Sequence, residues 1–184
     1  MDNKLLNSEM KKKKISIISP CYNEEGSIIE CYESIKKLFE KDLNNYDYEH
    51  IICDNSSTDN SQQILTKIAK NDSNVKVIMN QNNYGSQKSI FNSLKYAEGD
   101  AVVLYMPIDL QEPPKLIVDF VKYWEEGFDI VYGYIKDREQ SFLMKMVIKF
   151  YYFLLNILST TKIPKYISNF QLVDNKIAKE MLNV

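Results

Sequence analysis

The chain of 184 residues is 45% apolar and 26% charged, with five glycines and five prolines. These are the proportions of one globular domain, and they exclude intrinsic disorder, a collagen-like repeat and a disulfide scaffold. The 23 basic side chains stand against 25 acidic ones, and every basic residue except Arg138 is a lysine; with no positive field and no clustered guanidinium groups, nucleic-acid binding is not expected.

Residues 1–14 read as a polar, basic tail that ends in four lysines. The apolar run behind it, Ile15 to Ile18, is too short for the core of a signal peptide, and no uncharged apolar stretch reaches the roughly 18 residues of a spanning helix. Cys21, Cys31 and Cys53 lack metal-ligand spacing, and a single histidine cannot complete a His-rich site. The expectation is a protein that is not exported, with reduced structural thiols, in the cytoplasm or at the cytoplasmic face of a membrane, where a lysine cluster adds weak attraction to anionic headgroups.

From Ile15 onward, strand-length apolar runs alternate with helical periodicity, the pattern of an α/β domain with a mostly parallel, Rossmann-like sheet and helices on both faces. Strands are predicted at 15–19, 48–53, 74–79, 101–106 and 128–132, with a short one at 170–173. A helix is expected over 24–41, where Ile28, Tyr32, Ile35 and Phe39 recur at spacings of four, three and four. A second is capped by Ser57 or Thr58, a third covers 85–97, a fourth opens at Pro113-Pro114 and stops at Gly127, and a last one is capped by Asp174. Between them lies 141–159, rich in Phe, Met, Tyr and Leu, with Lys145 and Lys149 four apart. It reads as an amphipathic helix, packed on the domain or on a second copy in a homo-oligomer, or lying against a bilayer surface.

In an open parallel sheet, ligands collect beyond the carboxyl ends of the strands. Four successive loops on that rim carry polar clusters: Pro20, Tyr22, Asn23 and Glu24; Asp54 to Asp59; Asn82 to Gly85; and Asp109, Gln111 and Glu112. Asn55, Ser56 and Ser57 are read as turn-formers, Asp59 as a capping residue, and Trp124 as packing. An aromatic with carboxylates suits a nucleotide's base and ribose. Neither a GxxxxGK[ST] loop nor a GxGxxG fingerprint is present. Phosphate charge would then be met by a hard dication, Mg²⁺ or Mn²⁺, on Asp109 and Gln111.

The segments ISIISPCYNEEGSI, CDNSSTDNS, NNYGSQKSIFNSLKYAEGD, DLQEPPKLIVDFVKYWEEGFDIVYG and FYYFLLNILS, in this order, resemble family 2 glycosyltransferases of the GT-A fold. The resemblance is to the branch of dolichol-phosphate mannose synthase and the bacterial polyprenyl-phosphate glycosyltransferases. It implies one domain over 15–184 that lacks the family's C-terminal portion. It also implies inverting transfer of a sugar from a nucleoside diphosphate sugar to a polyprenyl phosphate or cell-surface glycan. On the matching positions it implies nucleotide binding by Pro20, Tyr22, Glu24, Asp54, Asn83 and Gly85, and metal binding by Asp109 and Gln111. Lys136 and Arg138 are expected to stabilise the departing diphosphate with Asp109. Pro107 replaces the first aspartate of the metal motif, Ile135 an arginine, and Asn169 and Gln171 an aspartate and an arginine. These departures keep a nucleotide-sugar-binding, catalytically impaired member as the alternative. A phosphoacceptor receiver domain, the third class, would need a lysine directly after 128–132, and none stands there.

Overall fold

The computed structural model describes residues 12–134, 142–158 and 167–183. Six strands, β1 (Lys14–Cys21), β2 (Asp47–Asp54), β3 (Val75–Met79), β4 (Ala101–Leu104), β5 (Ile130–Tyr134) and β6 (Ile167–Asp174), form one sheet in the order β3-β2-β1-β4-β6-β5. β1 to β4 run parallel, and β6 inserts antiparallel between β4 and β5. The mostly parallel α/β sheet expected from the sequence is therefore present.

Alternation along the strands feeds two apolar layers. Ile15 and Ile17, Ile52, Val103, Phe170 and Leu172 face one side, against α1 (Ile28–Lys41), α2 (Ser61–Asn71) and α4 (Leu116–Glu125). Ile18, Ile51, Val102, Leu104 and Val173 face the other, where α3 (Ser86–Leu94) and α6 (Asn175–Met181) supply Ile90, Leu94 and Ala178. Two residues before β4 the chain admits only glycine: a Cβ on Gly99 would sit 2.6 Å from Ser16 N and 2.7 Å from the Ala101 carbonyl. That close approach lets Gly99 N–H donate to Ser16 Oγ at 2.8 Å.

Two titratable groups inside the sheet, Glu49 and His50, have specific partners. Glu49, buried in β2, accepts from Ser16 Oγ at 2.5 Å and from Glu98 N at 2.6 Å, and pairs with Lys76 at 2.7 Å and Lys14 at 3.1 Å. Burial alone would raise its pKa, but these donors together hold it below the usual glutamate value. His50, next in the strand, shares a 2.8 Å hydrogen bond between Nε2 and Ser19 Oγ while its Nδ1 has no partner, and burial lowers its pKa to about 3.

Several expected boundaries shift for local reasons. The cap of α2 is Asn60, without a side-chain hydrogen bond, and the nearby Asp59 Oδ1 instead takes Ser61 N–H at 2.9 Å. Ser57 and Thr58 bond back to Asn23. Pro113 and Pro114 precede α4, and their carbonyls accept from Leu116 and Ile117 in the turn that starts it. Asp174 caps α6 as expected, accepting from Lys176 N at 2.9 Å, and also takes the Trp124 indole N–H at 2.8 Å. Lys12 to Lys14 are tied to the domain: Lys14 opens β1, Lys13 pairs with Glu125 at 2.8 Å, and Lys12 donates to the Asn44 carbonyl.

The helix expected over 141–159 is present as α5 (Phe142–Leu158), with an uncovered apolar face. Met146, Val147, Phe150, Phe153, Leu154 and Ile157 share one face of it, and all six are exposed, Phe150 at 62%. Among the described residues, no helix is long and apolar enough to cross a membrane.

Candidate active site

The exits of β1, β2 and β4 converge on one rim because the three strands are parallel neighbours, with Cys21 level with Asp54 and Ile17 level with Val103. Backbone strain concentrates there. Asn23, Ser56, Tyr105 and Leu110 all have φ between +54° and +65°, a region that side chains rarely enter, and all four follow a strand of this rim. The loops are bonded across to one another. Asn23 N donates to Ser57 Oγ at 2.9 Å, Thr58 N to Asn23 Oδ1 at 2.8 Å, Glu24 N to Ser61 Oγ at 3.0 Å, and Asn60 N to Glu25 Oε2 at 2.9 Å. The strained turns are therefore held by side-chain acceptors of the neighbouring loop.

Between them opens a cleft of about 390 Å³, within the size range of small-ligand sites. Of the residues singled out from the sequence, Pro20, Tyr22, Glu24, Asn83, Gly85, Asp109 and Gln111 all line it. Asp54 does not. It is fully buried behind the wall, where its Oδ2 accepts from Gln62 Nε2 at 2.8 Å and Ser57 N at 3.1 Å, and its Oδ1 has no partner. Lys136 and Arg138 lie outside the described residues, as does Ile135.

Several lining residues were not anticipated. Asn55, read as a turn-former, contributes its buried amide to the wall, and Cys21, Ser86, Tyr105 and Ile108 join it. Burial, with help from the charges of Asp54 and Glu24, pushes the Cys21 thiol up to about 12, so it lines the cleft as a neutral group. No sequence signal marks these positions, because each is an ordinary strand end or turn residue until its neighbours are known.

The charge pattern is anionic. Glu24 is raised above the usual carboxylate value first by partial burial and then by the charges of Asp109 and Asp59. Asp109 is exposed at the mouth and accepts from Gln111 Nε2 at 2.6 Å and Gln111 N at 3.3 Å. Among the described residues, no group of three or more His, Cys, Asp or Glu is placed to hold an ion alone. One carboxylate, one amide oxygen and a second carboxylate close enough to feel the first do fit a hard dication that takes its remaining oxygens from a ligand. Pro107 occupies the wall without offering a donor.

Comparison with known proteins gives a consistent result. The model of the family described as glycosyl transferase family 2 matches residues 16–182. An uncharacterized glycosyltransferase of Bacillus subtilis, YkcC, is 35% identical over 167 residues, 90% of this chain and 51% of the relative. A bactoprenol glucosyl transferase of Shigella phage SfV is 28% identical over 91% of this chain and 54% of its own length. The chain thus spans about half the length of the curated relatives it matches. In structure, the mannosyltransferase PcManGT of Pyrobaculum calidifontis, solved with GDP-Man and Mn²⁺, superposes with a TM-score of 0.63 at 19% identity, over 94% of this chain and 47% of that one. At that identity the likeness establishes the fold, which is the expected GT-A arrangement.

Proposed function

The chain belongs to glycosyl transferase family 2, and from that premise we propose that it transfers a sugar from a nucleoside diphosphate sugar to a polyprenyl phosphate, with inversion at the anomeric carbon. The observation that carries the reading is the meeting of Tyr22, Glu24, Asn83, Asp109 and Gln111, from three separate loops, around one cleft. Tyr22 offers a ring face to base or ribose, Glu24 and Asn83 accept and donate to sugar hydroxyls, and Asp54, buried behind them, holds Ser57 and Gln62 in the wall's support. Asp109 and the amide oxygen of Gln111 would hold Mg²⁺ or Mn²⁺. When bound, that ion supplies positive charge to the diphosphate, whose leaving oxygen gains negative charge as the bond to the sugar breaks. Lys136 and Arg138 are assigned to the same diphosphate.

In the step itself, an oxygen of the acceptor phosphate forms the new bond to the anomeric carbon, while the bond from that carbon to the diphosphate breaks and its electron pair leaves with the nucleotide. A phosphate is already anionic at neutral pH, so the reaction needs no strong general base, and the cleft's lining offers no histidine to act as one. A sugar hydroxyl acceptor would need one. The exposed apolar face of α5, with the charged Lys149 on the same helix, supports the same choice, since such a helix can lie at the surface of the bilayer that carries the lipid.

The test is transfer of labelled sugar from UDP-, GDP-, CDP- or dTDP-linked donors, with Mn²⁺, to polyprenyl phosphate in anionic vesicles. Label in the lipid fraction is the expected outcome. Pro107 in the cleft wall favours the second reading, a member that binds donor without turnover, and donor binding with no label in lipid or free sugar would establish that instead.

A further inference from the structure

Four asparagine side chains form a connected series that runs from the cleft wall, where Asn55 and Asn83 line it, to Asn80 and Asn92 outside the lining. Asn92 in α3 donates from Nδ2 to Asn80 Oδ1 at 3.2 Å. Asn80 Nδ2 donates to Asn55 Oδ1 at 3.3 Å and to Ser89 Oγ at 3.1 Å. Asn55 Nδ2 donates to Asn83 Oδ1 at 2.8 Å. The backbone of the loop between β3 and α3 hangs on these amides: Tyr84 N donates to Asn55 Oδ1 at 2.9 Å, and Gly85 N to Asn83 Oδ1 at 3.0 Å. Ser89 in turn donates from its hydroxyl to the Gly85 carbonyl at 3.2 Å.

The loop has no regular structure of its own over 80–85, and Gly85 turns it at a φ of +84°. Its shape is therefore set by side chains rather than by a ladder. Asn80 reaches both supports. One amide group touches Asn55, which carries Tyr84, and Ser89, which carries Gly85. Asn55 is 3% exposed, so water cannot freely replace a lost partner.

We infer that Asn80, held by Asn92, is a positioning residue for the nucleotide donor: it fixes the cleft wall formed by Asn55, Asn83 and Gly85 without touching the ligand itself. The inference rests on the reading of the cleft as the donor site. A tethered wall binds donor without first having to be ordered, so the effect belongs to donor affinity and not to the rate of the bound complex.

The test uses Asn80→Asp, which has the same shape, keeps an acceptor for Asn92 and removes the donor to Asn55 and Ser89. Amide hydrogen exchange of ligand-free protein is expected to speed up about fivefold to tenfold at Tyr84 and Gly85, with the strands unchanged. The KM for the UDP- or GDP-sugar that the wild type uses should rise by about the same factor at unchanged kcat. Asn92→Ala should move both readouts in the same direction. A defect that only reduced the amount of folded protein would lower apparent kcat and leave KM alone. Wild-type exchange at Tyr84 and Gly85, or a wild-type KM, in Asn80→Asp would overturn the inference. Failure of the wild type to use or bind any donor would overturn the functional reading; the tether would then be upheld by accelerated exchange and refuted by unchanged exchange.

Discussion

Asp109→Asn is expected to lower metal-dependent sugar transfer by about 10²- to 10³-fold, the scale seen when one preorganised stabiliser of developing charge is removed. The substitution keeps the size and one oxygen of the side chain and deletes its charge. Asp109 is exposed, and its hydrogen-bond partners, the side chain and backbone of Gln111, are themselves at the surface. The melting temperature should therefore stay within a degree or so of wild type, which separates a lost role in chemistry from a lost fold. The fall should appear mainly in kcat when Mn²⁺ is saturating, and as a weaker requirement for Mn²⁺. Wild-type turnover with an unchanged metal dependence would remove Asp109 from the site.

The second large effect concerns stability. His50 is buried and neutral, and its pKa of about 3 lies far below the ordinary value of 6.5. The unfolded chain therefore binds a proton on this ring between pH 6.5 and 3 that the folded chain does not, so stability is complete above pH 6.5 and is lost as the pH falls toward 3. The slope approaches that set by one bound proton, which amounts to roughly 2 to 3 kcal/mol between pH 7 and 4.5. The carboxylates with lowered values, Glu49, Asp59, Asp72, Glu98 and Asp174, add their loss only once the pH reaches the ordinary carboxylate range. Glu24, whose value is raised, works in the opposite direction. Chemical denaturation at pH 7, 6, 5 and 4.5 is expected to show the loss in the wild type and a flatter curve in His50→Gln, which keeps a polar partner for Ser19 but cannot titrate. Parallel curves for the two proteins would show that His50 does not titrate on unfolding in this range.

The fold was legible where the sequence carries a pattern that tertiary context does not override. The run Ala101 to Met106 read as a strand covered on both faces, and that strand is present but stops at Leu104, where Tyr105 turns to a φ of +61°; Asp174 could cap a helix because its role is local. The strand expected at 128–132 begins at Ile130, because Phe128 and Asp129 finish the turn after Gly127, where the Asp129 carbonyl takes Asp174 N–H at 2.8 Å. The last strand reaches back to Ile167, an extension that its partner β5 creates and that its own composition does not announce.

Among candidate site residues, those beside a turn signal were found: Tyr22, Glu24, Asn83, Gly85, Asp109 and Gln111 all line the cleft. Cys21, Asn55 and Tyr105 were missed as lining residues because nothing local distinguishes them. Glu49 and His50 were hidden inside an apolar stretch and gain meaning only from Ser16, Lys76 and Ser19, which are brought in by β1 and β3. The same holds for Asn80 and Asn92, whose amides matter through each other. The apolar face of α5 was recognised, but its exposure depends on what the domain leaves uncovered, which periodicity alone does not specify.

The proposed reaction requires that a nucleoside diphosphate occupy this cleft together with a dication. Thermal unfolding in the presence of UDP-, GDP-, CDP- and dTDP-sugars, each with and without Mn²⁺, tests it most directly. At about 100 times Kd, the cognate donor should add roughly 2.7 kcal/mol, a rise of about 5 to 10 °C for a chain of this size. The rise should be larger with Mn²⁺ present and shrink in Asp109→Asn. An unfolding curve that none of the four donors moves, with or without the ion, would contradict the account.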